Sequence, residues 1–183
     1  MNKFLTHITT KFLERYKTNK QKSFNPSLNH NLNAARAMIK NSKFCILITN
    51  NDTQCPSARM VQPIIDFNAF EIWFGTNPSL RKAIEIENNP NVTIAFSDLS
   101  EHANLIIYGK ASLETDIQKR VDHWLTSWQL FFPNGPKGDD FVSIRVEMLE
   151  MELMNFKRNI VPPEPFGLKP VKITRVNGSW KIQ

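Results

Sequence analysis

At Phe44 the hydrophobic period of the chain changes, and the change limits the architectures open to it. Before that point Leu32, Ala35, Met38 and Ile39 recur at helical spacing, which predicts a helix over about 28–41. After it come short apolar runs rich in branched side chains, at 44–49 (FCILIT), 57–65 (SARMVQPII), 71–75 (EIWFG), 92–97 (VTIAFS) and 104–114 (NLIIYGKASLE). A late run over 142–155 alternates, with Ile144, Val146, Leu149, Met151 and Leu153 on a period near two. Turn chemistry such as Asn50-Asn51-Asp52 separates the first two runs, and Asn177-Gly178 sits between 171–176 and 180–182 as a hairpin turn. Gly109 inside its run predicts a bulge or tight bend, of the kind closing barrels need. Two helical stretches interrupt the strands: 79–88, ended by Asn88-Asn89-Pro90, and 116–131, with Asp116 near its start. Many strands with short helical inserts point to a mostly β fold, a β-barrel with peripheral helices, and against a doubly wound sheet.

The N-terminal residues read differently. Phe4, Leu5, Ile8, Phe12, Leu13 and Tyr16 share one face of a helix over 3–16, expected to dock on the barrel or on a partner subunit. A membrane surface or a nucleic acid is the alternative for that face. Residues 17–26 read as a polar linker broken by Pro26. The net charge of +6 is uneven: residues 1–43 hold nine Lys/Arg against one acid, +8, while the rest hold 14 basic against 16 acidic groups, −2. The basic character belongs to the arm, so the body is not expected to be a nucleic-acid platform.

A chain of 183 residues is expected to form one domain, with an arm at 1–26, a core at 27–155 and an extension at 156–183 packed on it. No apolar run approaches the roughly eighteen residues of a membrane-crossing helix. Thr6, His7, Thr9, Thr10 and Lys11 interrupt the apolar start, so no signal peptide and a cytoplasmic location are expected. Cys45 and Cys55 lack CxxC spacing and a neighbouring histidine. They read as two reduced thiols, with a facing pair across a hairpin as the alternative, and no metal site is expected.

Three cations stand at informative places. Arg59 lies on a strand with apolar alternate neighbours, so it needs an anionic partner or an exposed edge. Arg81 and Lys82 lie in the first turns of the 79–88 helix, where backbone N–H groups and the dipole favour an anion. A guanidinium and an ammonium together suit a phosphate dianion. Thr76 and Ser79 add hydroxyls just before the helix, Ser79 serving equally as an N-cap.

The order A-R-M-V on a strand, then W-F-G-T-N, R-K-A-I-E-I-E-N-N-P and V-T-I-A-F, resembles the pyridoxamine 5′-phosphate oxidase superfamily of FMN-binding split barrels. The segment from Gly109 to Asp116, followed by His123-Trp124 and Phe132-Pro133-Asn134-Gly135-Pro136, is similar to its general stress protein branch. The resemblance implies a six-stranded Greek-key split barrel and a homodimer with FMN at the subunit interface. It implies phosphate binding by Arg59, Arg81 and Lys82, and contact with the flavin ring along Met60, Val61 and Gln62. Thr76 would bond near the ring. Trp124, on a helix shared with Trp128 and brought by the other subunit, would wall the ring's edge, with Trp128 in the core.

The chain departs from the family pattern at three points. Leu80 stands between Ser79 and the Arg81-Lys82 pair, Pro63-Ile64-Ile65 replaces a strand-end lysine, and the C-terminal N-G-S-W-K-I-Q lacks the oxidases' arginine-and-histidine motif. The last departure argues against pyridoxamine phosphate as substrate. The expected function is therefore an FMN-dependent oxidoreductase of unassigned small-molecule substrate, in which the cofactor carries the redox chemistry. A non-catalytic flavin or haem binder acting in stress is the alternative. No acid or base stands out; His102, before a strand, is the one histidine to nominate.

Overall fold

The computed structural model describes residues 3–24, 27–51, 55–160 and 169–183. Pro26 of the expected linker, Asp52 of the expected turn, and the Phe4 and Leu5 side chains lie outside the described residues. Two helices come first, α1 (Lys3–Ser23) and α2 (Leu28–Asn41), followed by β1 (Cys45–Asn50), β2 (Pro56–Val61), β3 (Ile64–Asp66) and β4 (Glu71–Thr76). Then come α3 (Arg81–Asn88), β5 (Asn91–Asp98), β6 (Ala103–Glu114), α4 (Ile117–Asp122), two 3-10 turns, β7 (Val142–Asn155), β8 (Val171–Val176) and β9 (Ser179–Ile182).

All strands join one antiparallel sheet in the order β2-β1-β5-β6-β7-β4-β3, with β8 on β7 and β9 on β8. The long strand β7 is where the sheet divides. Along one edge it pairs with β6; along the other, its first half pairs with β4 and its second half with β8. The end strands β2 and β3 do not pair with each other, so the barrel is split and not closed. The β6–β7 register shifts at Tyr108/Gly109, where Tyr108 faces Glu150 and Gly109 faces Met148, leaving Leu149 as the extra residue. A Cβ at Gly109 would lie 2.5 Å from the Glu147 carbonyl oxygen, so only glycine fits the bulge. The bulge also explains the phase jump from Val146 to Leu149 in the sequence: Ile144, Val146 and Met148 are buried before it, Met151 and Leu153 after it.

Inward residues of the sheet, among them Leu47, Ile72, Phe74, Ile94, Leu105 and Ile107, form the core. The inner face of α2 covers one side with Ala34, Ala35, Met38 and Ile39. The β8–β9 hairpin closes another part with Ile173 and Trp180.

Four expectations need correction. The single strand expected at 57–65 is two, β2 and β3, broken at Gln62-Pro63, because proline has no N–H to give a ladder. The expected linker at 17–26 is helical through Ser23, its end tied down by Lys20 Nζ, which donates to Phe156 O and Asn159 Oδ1 at 2.8 Å each. That tie does not lay the described part of the apolar face of α1 on the barrel: Ile8, Phe12, Leu13 and Tyr16 are exposed, so of the two docking places expected for it only a partner subunit is left. The helix expected at 116–131 stops after Asp122 and resumes as a 3-10 turn over Thr126–Leu130. Thr126 and Ser127 favour helix weakly, and aromatic packing sets the path instead.

Cys45 pairs with Val61 at one end of the β1–β2 hairpin, and Cys55 lies beyond the other end at Pro56. Both are unbridged. Burial pushes the Cys45 thiol up to about 12. Among the described residues no helix is long and apolar enough to cross a membrane, and no cluster of His, Cys, Asp and Glu has metal-binding geometry.

Candidate functional site

The site is built where the β1–β2 hairpin meets the start of α3. Antiparallel register sets Leu47 opposite Arg59 and Thr49 opposite Ser57. Residues two apart on a strand share a face, so Thr49, Ser57 and Arg59 all point to the same side. Into that side α3 presents Glu85, which is 4% exposed. Its carboxylate accepts hydrogen bonds from Thr49 Oγ1, from Ser57 Oγ at 3.0 Å and from Arg59 Nη2 at 2.8 Å. Arg81 Nε stands 3.4 Å from its other side, one helical turn back. Arg59 Nη1 donates to Thr49 Oγ1 as well, and lies 3.5 Å from Leu47 O. Burial alone would push the Glu85 carboxyl up; the hydrogen bonds from Thr49, Ser57 and Arg59, with the Arg59 charge, outweigh it and hold it below the usual range.

Beside this cage opens a cavity of about 760 Å³. Its walls are largely apolar: Phe44 before β1, Met60 and Val61 on β2, Leu80 before α3, and Trp128, Phe131 and Phe132 around the 3-10 turn. Its polar groups are Gln62, Asn77, Ser79 and Lys82. Trp128 reaches the wall because β4 carries Gly75 there; a Cβ would lie 2.7 Å from the Trp128 ring and 2.9 Å from Phe141. Trp124, Phe132 and Phe141 pack edge-on and tilted around Trp128, with Trp124–Trp128 centroids 5.9 Å apart and Trp124–Phe141 4.9 Å. The cavity is therefore lined by aromatic side chains and by polar groups at the start of α3. Desolvation and the nearby Arg59 charge lower the pKa of Lys82, which makes no ion pair among the described residues.

The residues singled out by sequence fall into groups. Met60, Val61, Gln62, Ser79 and Lys82 line the cavity. Arg59 and Arg81 are beside it but engaged with Glu85, Arg81 with most of its side chain in solvent. Thr76 is buried and its hydroxyl points to Asn77 O at 3.3 Å. Ser79 is not the N-cap: α3 begins at Arg81 with Leu80 in the capping position, and Asn77 Oδ1 accepts from Ser79 N at 2.8 Å. Trp124 stands behind Trp128, which takes the place on the wall of its own chain's cavity. His102 sits at a turn with φ +47°, away from the cavity. Sequence reasoning missed Glu85, Thr49, Ser57, Phe44 and Asn77. The spacing of four between Arg81 and Glu85 was the one local signal for the cage.

The fold has solved counterparts. A protein related to general stress protein 26 of Bacillus subtilis, from Clostridium acetobutylicum, superposes with a TM-score of 0.65 at 16% identity, covering 78% of this chain and 93% of that one. General stress protein 26 from Bacillus anthracis gives 0.56 at 20% identity, covering 65% and 89%. A pyridoxamine 5′-phosphate oxidase-related, FMN-binding protein from Nostoc punctiforme gives 0.61 at 13% identity, covering 87% and 96%. Identities this low carry the fold alone. No curated protein matches the chain in sequence. The family model described as pyridoxamine 5′-phosphate oxidase like matches residues 30–160, which span the hairpin, α3 and the aromatic turn that frame the cavity; the chain belongs to that family.

Proposed function

We propose that this chain is an FMN-binding flavoprotein, an oxidoreductase acting on a small molecule, with the flavin held in the cavity between β2, α3 and the aromatic turn. The observation that carries the reading is the pairing of apolar aromatic walls with one cation, Lys82, that has no ion-pair partner among the described residues. The volume of about 760 Å³ lies in the range of roughly 300–1,000 Å³ typical of small-molecule sites. Phe44, Val61 and Trp128 suit a planar ring. Lys82, Ser79 and the first N–H groups of α3 suit a phosphate. The Nostoc relative of the same fold is FMN-binding, which supports the choice of ligand.

FMN, when bound, supplies hydride and electron transfer at its ring. The chain's own residues hold and orient it and exclude water. Among the described residues the cavity lining includes no histidine or carboxylate, which also favours a second reading, a flavin carrier without turnover.

Met60, Leu80, Leu130 and Phe131 leave an exposed apolar rim around the cavity, with Phe131 71% exposed. A second copy of the chain would cover this rim, making a homodimer with the cofactor at the interface. Two unpaired thiols suit the cytoplasm. The test is a titration of purified protein with FMN, read by flavin absorption and fluorescence. Saturable quenching with a shifted visible band is expected, and a flat titration would sink the reading.

A further inference from the structure

Helix α1 ends before residue 30, where the span shared with the family begins, so the flavin reading gives it no role. Its described apolar side chains are open to solvent, Phe12 69% exposed and Ile8, Leu13 and Tyr16 about half. At about 100° of rotation per residue these four fall within an arc of roughly 140°. Cations border that arc on both sides: Lys11 and Arg15 along its Ile8 edge, Lys17 along its Leu13 edge. Glu14, the one acid in the helix, falls opposite the middle of the arc. No ion pair among the described residues involves Lys11, Arg15, Lys17 or Lys22. Lys20 is committed elsewhere, donating to Phe156 O and Asn159 Oδ1, and so fastens the far end of the helix to the body.

We propose that α1 binds an anionic lipid surface, lying flat with Ile8, Phe12, Leu13 and Tyr16 in the interface and Lys11, Arg15 and Lys17 among the headgroups. An apolar stripe edged by cations, with its acid turned away, matches a surface that is apolar below and negative above. The stems of the bordering lysines and arginine extend the apolar contact while their charged ends stay at headgroup level. A second copy of α1 is a poor match, because pairing the stripes would bring like charges together along both edges. The body of a second copy is a poor match too: Glu71, Glu101, Glu114, Glu147 and Glu150 already face cations of their own chain. Nucleic-acid phosphates would engage the cations but leave Phe12 and its neighbours in water. The inference is independent of the flavin reading.

The test is co-sedimentation of the full chain with phosphatidylcholine vesicles, and with vesicles in which a third of that lipid is replaced by phosphatidylglycerol, at low and high salt. Binding to the anionic vesicles is expected to be about 100-fold tighter than to the neutral ones, from three cations each contributing about fivefold. High salt should weaken it. The double variant Phe12→Ala/Leu13→Ala should bind anionic vesicles about tenfold more weakly or worse. Lys11→Gln/Arg15→Gln should lose about 25-fold on anionic vesicles and nothing on neutral ones. All four side chains are exposed and alanine favours helix, so both proteins should melt like the wild type. Should the alanine pair fail to fold, the glutamine pair decides alone. No binding to anionic vesicles, equal binding to both kinds, or an alanine pair that binds like the wild type would overturn the proposal. So would an alanine pair with a smaller oligomeric state than the wild type in lipid-free sedimentation velocity, since the face would then be covered by a second copy. Tighter binding to a duplex DNA oligonucleotide than to anionic vesicles, unaffected in the alanine pair, would overturn it in favour of a nucleic acid.

Discussion

Two carboxylates, Glu85 and Glu101, sit in similar shells and do different work. Glu101, in the turn between β5 and β6, accepts from Arg158 Nε at 2.8 Å, Arg158 Nη2 at 3.0 Å and Asn155 Nδ2 at 2.6 Å. Those bonds hold its carboxyl down to about 2. One acid meets one arginine, the backbone N–H of Lys157 and of Phe156 bonds back to the same turn, and the cluster lies away from the cavity. It fastens the end of β7 to the turn. Glu85 gathers a similar number of donors, but two arginines share a single acid, and a cavity opens beside them. An ion pair whose charges cancel and whose surroundings are packed is architecture. One that leaves surplus charge at the mouth of a cavity is a candidate for binding. Exposure and distance alone do not separate the two; the local charge balance does.

The sharpest attempt to break this contrast is Glu85→Ala. It leaves the Arg59 guanidinium, 18% exposed, without its counter-ion, and about 3–5 kcal/mol of stability should be lost, measured by urea unfolding. A loss below about 1 kcal/mol would mean that solvent already serves Arg59, and the cage would then be no more buried than a surface pair.

Gly75→Ala comes next. The added methyl meets the Trp128 ring at 2.7 Å, so about 1–3 kcal/mol of stability should go, with flavin affinity falling as the aromatic wall shifts. Unchanged flavin binding in a destabilised Gly75→Ala protein would detach Trp128 from the site.

Arg158→Ala should cost a comparable or smaller amount, about 1–3 kcal/mol, and leave flavin affinity untouched. Its mark is the acid limb of stability. The Glu101 carboxyl is lowered from 4.5 to about 2 in the folded protein, so its contribution is complete above about pH 4.5 and fades as the pH falls through 2. In Arg158→Ala that limb should flatten, which thermal melts between pH 2 and pH 5 would show. A change in flavin binding here would erase the distinction between the clusters.

The smallest effect belongs to a third, exposed pair. Lys119 donates to Glu114 at 3.0 Å with half its side chain in solvent, and Lys119→Ala should change stability by about 0.2–1 kcal/mol. A larger loss would show that exposure is a poor guide to the energy of pairs on this surface.

What the sequence settled by itself is what local geometry controls. A strand repeats every two residues and a helix every 3.6, so β1, β5, β6, β7 and α2 were legible from apolar spacing. Asn177-Gly178 marked the β8–β9 turn, where both residues take positive φ, and Gly109 marked the bulge. Pro63, with its missing N–H, was the signal for the break between β2 and β3 that the reading of 57–65 as one strand passed over. Lys82 was legible as a residue at a helix start. What tertiary structure alone decided is which distant residues meet. Glu85 reads in sequence as one more surface acid on a helix, and only the β1–β2 register together with the docking of α3 turns it inward onto Thr49, Ser57 and Arg59. Likewise no local pattern says that Trp128, and not Trp124, reaches the cavity wall; Gly75, more than fifty positions away, leaves the space that admits it. Backbone periodicity is set by nearest neighbours along the chain. The charge left over beside a cavity is set by neighbours in space, and these exist only once the sheet has chosen its register and the helices have packed.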